Sequence, residues 1–150
     1  MSIKAWALIA CLCANVYLLG VMVLFATVVY PEFGAVDRKT FPSLYAAFTG
    51  RIGLPVVAFE FLALLTTLVL YASRPPLVPL WAVHALVALG VGYFAITFGW
   101  HLPSHRALAA GENDPQALLP LLRSQWARTV VQLIRAVMLA WLGARAVGAD

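Results

Sequence analysis

Four stretches of this chain are almost free of charge. Between Ala5 and Pro31 there is no Asp, Glu, Lys or Arg. Ile52 to Ser73 carries only Glu60, Pro75 to His105 carries none, and Ser124 to Gly148 carries Arg128, Arg135 and Arg145. The hydrocarbon core of a bilayer takes about 20 residues of helix to cross, and each stretch is long enough. The pattern predicts spanning helices over approximately 4–30, 52–72, 77–101 and 125–147. Membrane β-strands would be shorter segments of alternating polarity, whereas these runs are long and continuous. The whole of 1–150 therefore reads as one integral membrane domain, an all-α, up-down-up-down bundle of four transmembrane helices.

The connections differ in character. Arg74-Pro75-Pro76 is a tight turn, because proline cannot continue a helix and biases the residue before it to extended geometry. The other two connections are longer and share the opposite end of the bundle. In the first, Phe41, Leu44, Tyr45 and Phe48 follow the i, i+3, i+4, i+7 spacing of an apolar helix face, which predicts a short interfacial helix over the bundle mouth. In the last, Gly111-Glu112-Asn113-Asp114-Pro115 reads as a breaker between two short helical stretches. Trp6, Trp81 and Trp141 fall at one membrane face and Tyr30, Trp100 and Trp126 at the other, the two-belt arrangement of interfacial anchors.

Composition agrees with this reading and narrows it. Hydrophobic residues make up 63% of the chain and charged ones 11%, against roughly 45–50% and 25% in soluble proteins. A soluble globular domain of this size could not bury so much apolar surface. The net charge of +4 suits anionic lipid headgroups, and no basic stripe on a soluble face points to nucleic acid. Lysine and arginine favour the long-loop end (Arg38, Lys39, Arg51, Arg106 and Arg123, against Lys4, Arg74 and Arg145), which by the positive-inside rule faces the cytoplasm. Cys11 and Cys13, two apart on a helix, read as small buried hydrophobes. Leu8-Ile9-Ala10-Cys11 has the form of a lipoprotein cleavage box, but the apolar run before it is short and continues far beyond it, as a spanning helix does.

Polar residues inside the spans carry the chemistry. A mid-span charge costs about 2.5–3.5 kcal/mol to insert, so Glu60 and Arg135 are expected to have partners. Counted inward from the long-loop end, they lie at similar depth, which predicts a salt bridge between them. Gln125, Arg128, Gln132 and Arg135 form one polar stripe along the last helix, with Thr27, Tyr30, Tyr93 and Thr97 at comparable depth. Together they would line a pocket beneath the long loops, or form a structural clamp that fixes helix register.

The histidines give no metal-site spacing: Pro103 interrupts the i, i+4 pair His101 and His105. His84 reads as the best-buried histidine, either hydrogen-bonded to Asn15 or, as an alternative, an axial ligand for haem. No other cofactor is indicated.

Tyr30-Pro31 after a long first helix, then Tyr45, Arg51, Pro55 and Glu60, form one half of a recognisable pattern. Pro103, His105, Leu108, Gly111, then Gln125-Trp126-Ala127-Arg128-Thr129 and Arg135, form the other. This resembles a family of uncharacterised four-helix bacterial integral membrane proteins with an Asn-Trp-x-Arg-Thr signature opening the last helix. Gln125 stands here at the Asn position and Gln132 at that of a second aromatic. These proteins are distantly similar to the anthrone-oxygenase-like family, whose members act on polycyclic aromatic anthrones without an evident metal centre. A weaker likeness is to bacterial four-helix, haem-binding protoporphyrinogen oxidases, which have a histidine in the first helix where this chain has Tyr17.

Two functions follow as expectations. One is binding, or oxidation, of a lipophilic aromatic or quinone-like molecule in the bacterial inner membrane. Glu60 and His105 are then the candidate catalytic groups, and Arg51, Tyr93, Arg128, Gln132 and Arg135 the candidate ligand-binding ones. On this reading Glu60→Gln and Arg135→Gln abolish binding. The other is a non-catalytic accessory or scaffold subunit in a larger membrane complex or homo-oligomer, which predicts co-purification with a partner and tolerance of His105→Ala.

Overall fold

The computed structural model describes residues 3–110 and 115–147. They form four long helices: α1, Ile3–Phe33; α2, Phe41–Ala72; α3, Leu80–Ala109; and α4, Pro115–Val147. All four are long and apolar enough to cross a membrane, and no strand occurs among the described residues. The chain is a multi-pass, all-α four-helix membrane protein.

Large apolar side chains face outward on every helix. Val16, Leu54, Leu65, Val91, Phe98, Val130 and Val137 are all at least half exposed or close to it. Such a surface is stable in lipid and would drive association in water. Inside, one apolar cluster lies at the long-loop end, around Met22, Phe25, Phe33, Phe41, Leu108 and Leu121. A second lies at the other end, around Leu8, Cys11, Leu70, Val83, Leu86, Leu139 and Leu142. Trp81 and Trp141 are exposed and adjacent, with ring centroids 5.8 Å apart and the rings tilted by 41°. Trp100 and Trp126 are exposed at the opposite end. From Trp81 to Trp100 the helix climbs about 28 Å, close to the thickness of a bilayer core.

All four helices extend further at the long-loop end than the charge pattern predicted, α1 by one turn and the others by two or more. Phe41–Phe48 is no separate interfacial helix but the first two turns of α2, which runs unbroken through Pro55. Phe41 and Tyr45 are buried among Phe33, Phe48 and His105, so packing within the bundle holds these turns. Likewise the stretches flanking the 111–115 breaker are the ends of α3 and α4; the breaker itself, residues 111–114, lies outside the described residues. Tyr30 is not an interfacial anchor: it is 4% exposed and points into the bundle.

Two prolines shape the long-loop end. A proline inside a helix has no N–H to donate, and its ring crowds the carbonyl four residues earlier. In α1 the turn before Pro31 widens to a π-helical one at Phe25–Val29, with Tyr30 N–H donating to the Phe25 carbonyl. In α3 the same occurs before Pro103, at Thr97–His101, where Leu102 N–H donates to Thr97. Each widened turn absorbs the proline without ending the helix, and such turns recur at functional sites.

Helix α3 approaches α4 closely at Gly90, where an added Cβ would lie 3.7 Å from Leu64 Cδ1 and 3.8 Å from the Arg135 guanidinium. Gly90→Ala is therefore expected to fold with a melting temperature in detergent at or slightly above wild type, since alanine is the better helix former. Gly90→Leu should overpack the site and cost about 1–3 kcal/mol, read as a lowered melting temperature.

Candidate functional site

The charged residues of the spans meet in the bundle centre, but not in the predicted pairing. The Glu60 carboxylate of α2 is ion-paired with Arg128 of α4, the two being 5% and 3% exposed. Tyr93 of α3 donates to the same carboxylate oxygen at 2.8 Å. Its own hydroxyl accepts from Arg128 Nη2 at 2.5 Å. Arg128 Nη1 reaches Gln125 Oε1 at 3.3 Å, and Gln125 Nε2 donates to the Met22 carbonyl of α1 at 2.9 Å. One network thus ties all four helices together.

Arg135 lies two turns deeper, about 10 Å along the helix, and is 1% exposed. No carboxylate among the described residues is within salt-bridge distance of it. It donates instead to Gln132 Oε1 at 3.1 Å and to Thr67 Oγ1 at 3.0 Å. Gln132 in turn donates to the carbonyl and side-chain oxygens of Asn15, at 2.8 and 2.9 Å. The expected Glu60–Arg135 bridge fails because α2 sets Glu60 level with Arg128 and presents Thr67 and the Ala63 carbonyl to Arg135 instead. Depth counted from loop boundaries placed α2 too far down.

A second cluster sits above Glu60, towards the long loops. His101 Nδ1 is 2.8 Å from Ser124 Oγ, whose proton goes to the Leu121 carbonyl. The serine oxygen must therefore accept, so Nδ1 of His101 carries the proton and its Nε2 is bare. His105 Nε2, 3.0 Å away, then donates to it, leaving His105 Nδ1 to accept from the Tyr45 hydroxyl. The Tyr30 hydroxyl lies 3.1 Å from His105 Nε2 and 3.4 Å from His101 Nε2. His101 Nε2 has one lone pair, so His105 and the Tyr30 hydroxyl compete for it. Pro103 does not separate the two histidines as the spacing suggested, because the π-helical turn before it keeps the helix continuous.

Both clusters face one cavity of about 240 Å³. Its walls are largely apolar, from Met22, Phe25, Phe48, Ile52 and Val56, with Glu60, Arg128, Gln125, His101, His105 and Tyr30 as the polar points. Gly53 and Val57 of α2 and Thr97 and Leu102 of α3 also line it. Val57 and Leu102 are exposed, and Gly53 and Thr97 are partly so. The cavity thus reaches the outer, lipid-facing surface between α2 and α3.

Of the sequence-derived candidates, Glu60, His105 and Arg128 line this cavity, and Tyr93 supports Glu60 from behind. Gln132 and Arg135 belong to the deeper network. Arg51 is exposed on the outside of α2 and takes no part. Thr27 is also exposed, donating to the Val23 carbonyl. His84 is exposed rather than buried, with Nε2 3.3 Å from the Tyr71 hydroxyl. Asn15 bonds Cys11 and Gln132 instead, so His84 is neither its partner nor the best-buried histidine. Gln125, Tyr30 and Thr97, expected from the sequence as pocket lining, do line it; sequence reasoning missed His101 and Tyr45 as site residues. The available signal was two histidines at helical spacing in a stretch with no charged residue.

Comparison with protein-family models, curated proteins and solved structures gives no match to this chain in any of the three.

The ion pair makes a quantitative expectation. Removing one partner of a buried pair costs about 3–5 kcal/mol because the other charge is left uncompensated. Glu60→Gln and Arg128→Gln should each lower the midpoint of unfolding in detergent markedly. The double substitution should recover a large part of the loss. Equal and additive losses would show that the two groups act independently.

Proposed function

We propose that this protein binds a lipophilic, oxygen-bearing aromatic molecule of quinone, quinol or anthrone type in the cavity between α2 and α3, within a bacterial inner membrane. The observation that carries this reading is the cavity's composition. It is mostly apolar, opens towards lipid, and has two separate polar clusters on its wall. Such pockets hold a ligand by its apolar body and orient it by a few convergent polar groups. A ring system would lie against Phe25, Phe48, Ile52 and Val56, with its oxygen substituents directed at the Glu60–Arg128 pair or at the histidines. Tyr93 lies about 10 Å deeper than Trp100 along α3, so the two clusters differ in depth and suit the two oxygens of a quinoid ring.

Of the residues that carry the resemblance, Tyr30, Tyr45, Glu60, His105 and Arg128 fall on or beside this cavity, whereas Arg51 and Arg135 do not. That placement supports the finer reading, in which the bound molecule is oxidised by dioxygen while His105 or Glu60 takes a proton from it. An anthrone would yield its anthraquinone and water.

The test is direct. The chain in lipid nanodiscs is titrated with a naphthoquinone and with anthrone, binding being followed by quenching of tryptophan fluorescence. Saturable binding is expected. Gly53→Leu should weaken it at least about tenfold by filling the mouth, where nothing lies within 4 Å of an added Cβ. Gly50→Leu, at an equally open position one turn away and outside the cavity wall, should bind as wild type. Arg135→Gln should now leave binding intact if it folds, and Arg128→Gln should not. Equal binding by Gly53→Leu and Gly50→Leu would overturn the proposed site.

A further inference from the structure

We propose that His101, His105 and Tyr30 form a binding site for a first-row transition-metal ion at the upper wall of the cavity. This goes beyond the ligand reading and stands without it. The two Nε2 atoms are 3.0 Å apart, and the Tyr30 hydroxyl is 3.1 and 3.4 Å from them. Three donor atoms each about 2.1 Å from a common ion, the usual metal–imidazole distance, would be separated by about 3.0 Å at right angles and 3.4 Å at tetrahedral ones. All three separations fall in that range. An ion could therefore sit about 1 Å above the plane of the three atoms with little movement of any side chain.

The surroundings match what metal-bound imidazoles require. Such rings present one nitrogen to the metal and donate from the other to an oxygen that fixes their orientation. Here each ring turns Nε2 to the centre and Nδ1 to a hydroxyl oxygen, His101 to Ser124 and His105 to Tyr45. With an ion bound, both rings stay neutral and carry their proton on Nδ1, that of His105 having moved there from Nε2, and the proton released is the one Tyr30 gives up as its oxygen ligates the ion. The two histidines stand at i and i+4 on one face of α3, held there by the widened turn at Thr97–His101. Both line the cavity, so its open space leaves room for further ligands such as water or the oxygen of a bound molecule. The nearest strong positive charge lining the cavity, Arg128, is already neutralised by Glu60. Two imidazoles and a phenol oxygen suit Cu2+, Zn2+ or iron.

The experiment uses the full chain without a polyhistidine tag, chelator-stripped and dialysed against Cu2+. The sequence holds three histidines, so in the His84→Ala background only His101 and His105 remain. We expect about one Cu2+ per chain, nitrogen hyperfine structure from two imidazoles in the electron paramagnetic resonance spectrum, and a phenolate-to-copper absorption band. His101→Ala and His105→Ala should each weaken binding at least about tenfold while circular dichroism and size-exclusion profiles stay those of the folded chain. Tyr30→Phe should keep the ion and lose the absorption band; an unchanged band would overturn Tyr30 as a ligand. Copper that stays at the level of the aquo ion in the His84→Ala chain, with no imidazole hyperfine structure, would overturn the site. The histidines would then be a hydrogen-bonded pair only.

Discussion

A carboxylate and a guanidinium buried among apolar helices must meet, because either one alone in that medium would carry a large desolvation cost. The contact between Glu60 and Arg128 meets that constraint, and much of the bundle is arranged around it. Tyr93 supplies a second donor to the carboxylate, Gln125 an acceptor to the guanidinium, and the Met22 carbonyl anchors Gln125. Because these five residues come from four helices, the pair fixes the relative height of every helix. Apolar packing alone, with lipid equally apolar on the outside, would not select one register so sharply.

The deeper network around Arg135 solves the same problem without a counter-charge. Gln132, Thr67 and the Ala63 carbonyl surround the guanidinium with oxygen dipoles, and Asn15 holds Gln132 in turn. This layer lies where Gly90 lets the guanidinium pack close to the α3 backbone. The two arginines of α4 thus differ in kind. Arg128 lies beside open space and is available to a ligand, whereas Arg135 is enclosed on all sides and serves the bundle.

The long-loop end owes its chemistry to two prolines that do not end their helices. The widened turns before Pro31 and Pro103 carry α1 and α3 beyond the depth of Trp100, and so bring Tyr30, His101 and His105 to one place. Tyr45 arrives from α2 only because that helix begins at Phe41. The cavity lies between this cluster and the ion pair, and its mouth lies where α2 and α3 present Gly53 and Thr97 to each other.

The spacing of charges along the chain determined the number of helices, their class and their membrane setting, since each uncharged run had to cross a bilayer core and carry its backbone hydrogen bonds internally. It also singled out Glu60, Arg128 and Arg135 as residues too costly to leave without partners. Which arginine met Glu60 was decided by tertiary structure, because helix level is set by side-chain packing between helices and not by where the charges stop. His101 and Tyr30 were legible as residues but not as neighbours: their meeting depends on two π-helical turns that no periodicity announces. Arg51 and His84 show the converse. A polar residue near a span has no fixed address until the rotation of its helix is known, and that rotation turned both of them outward.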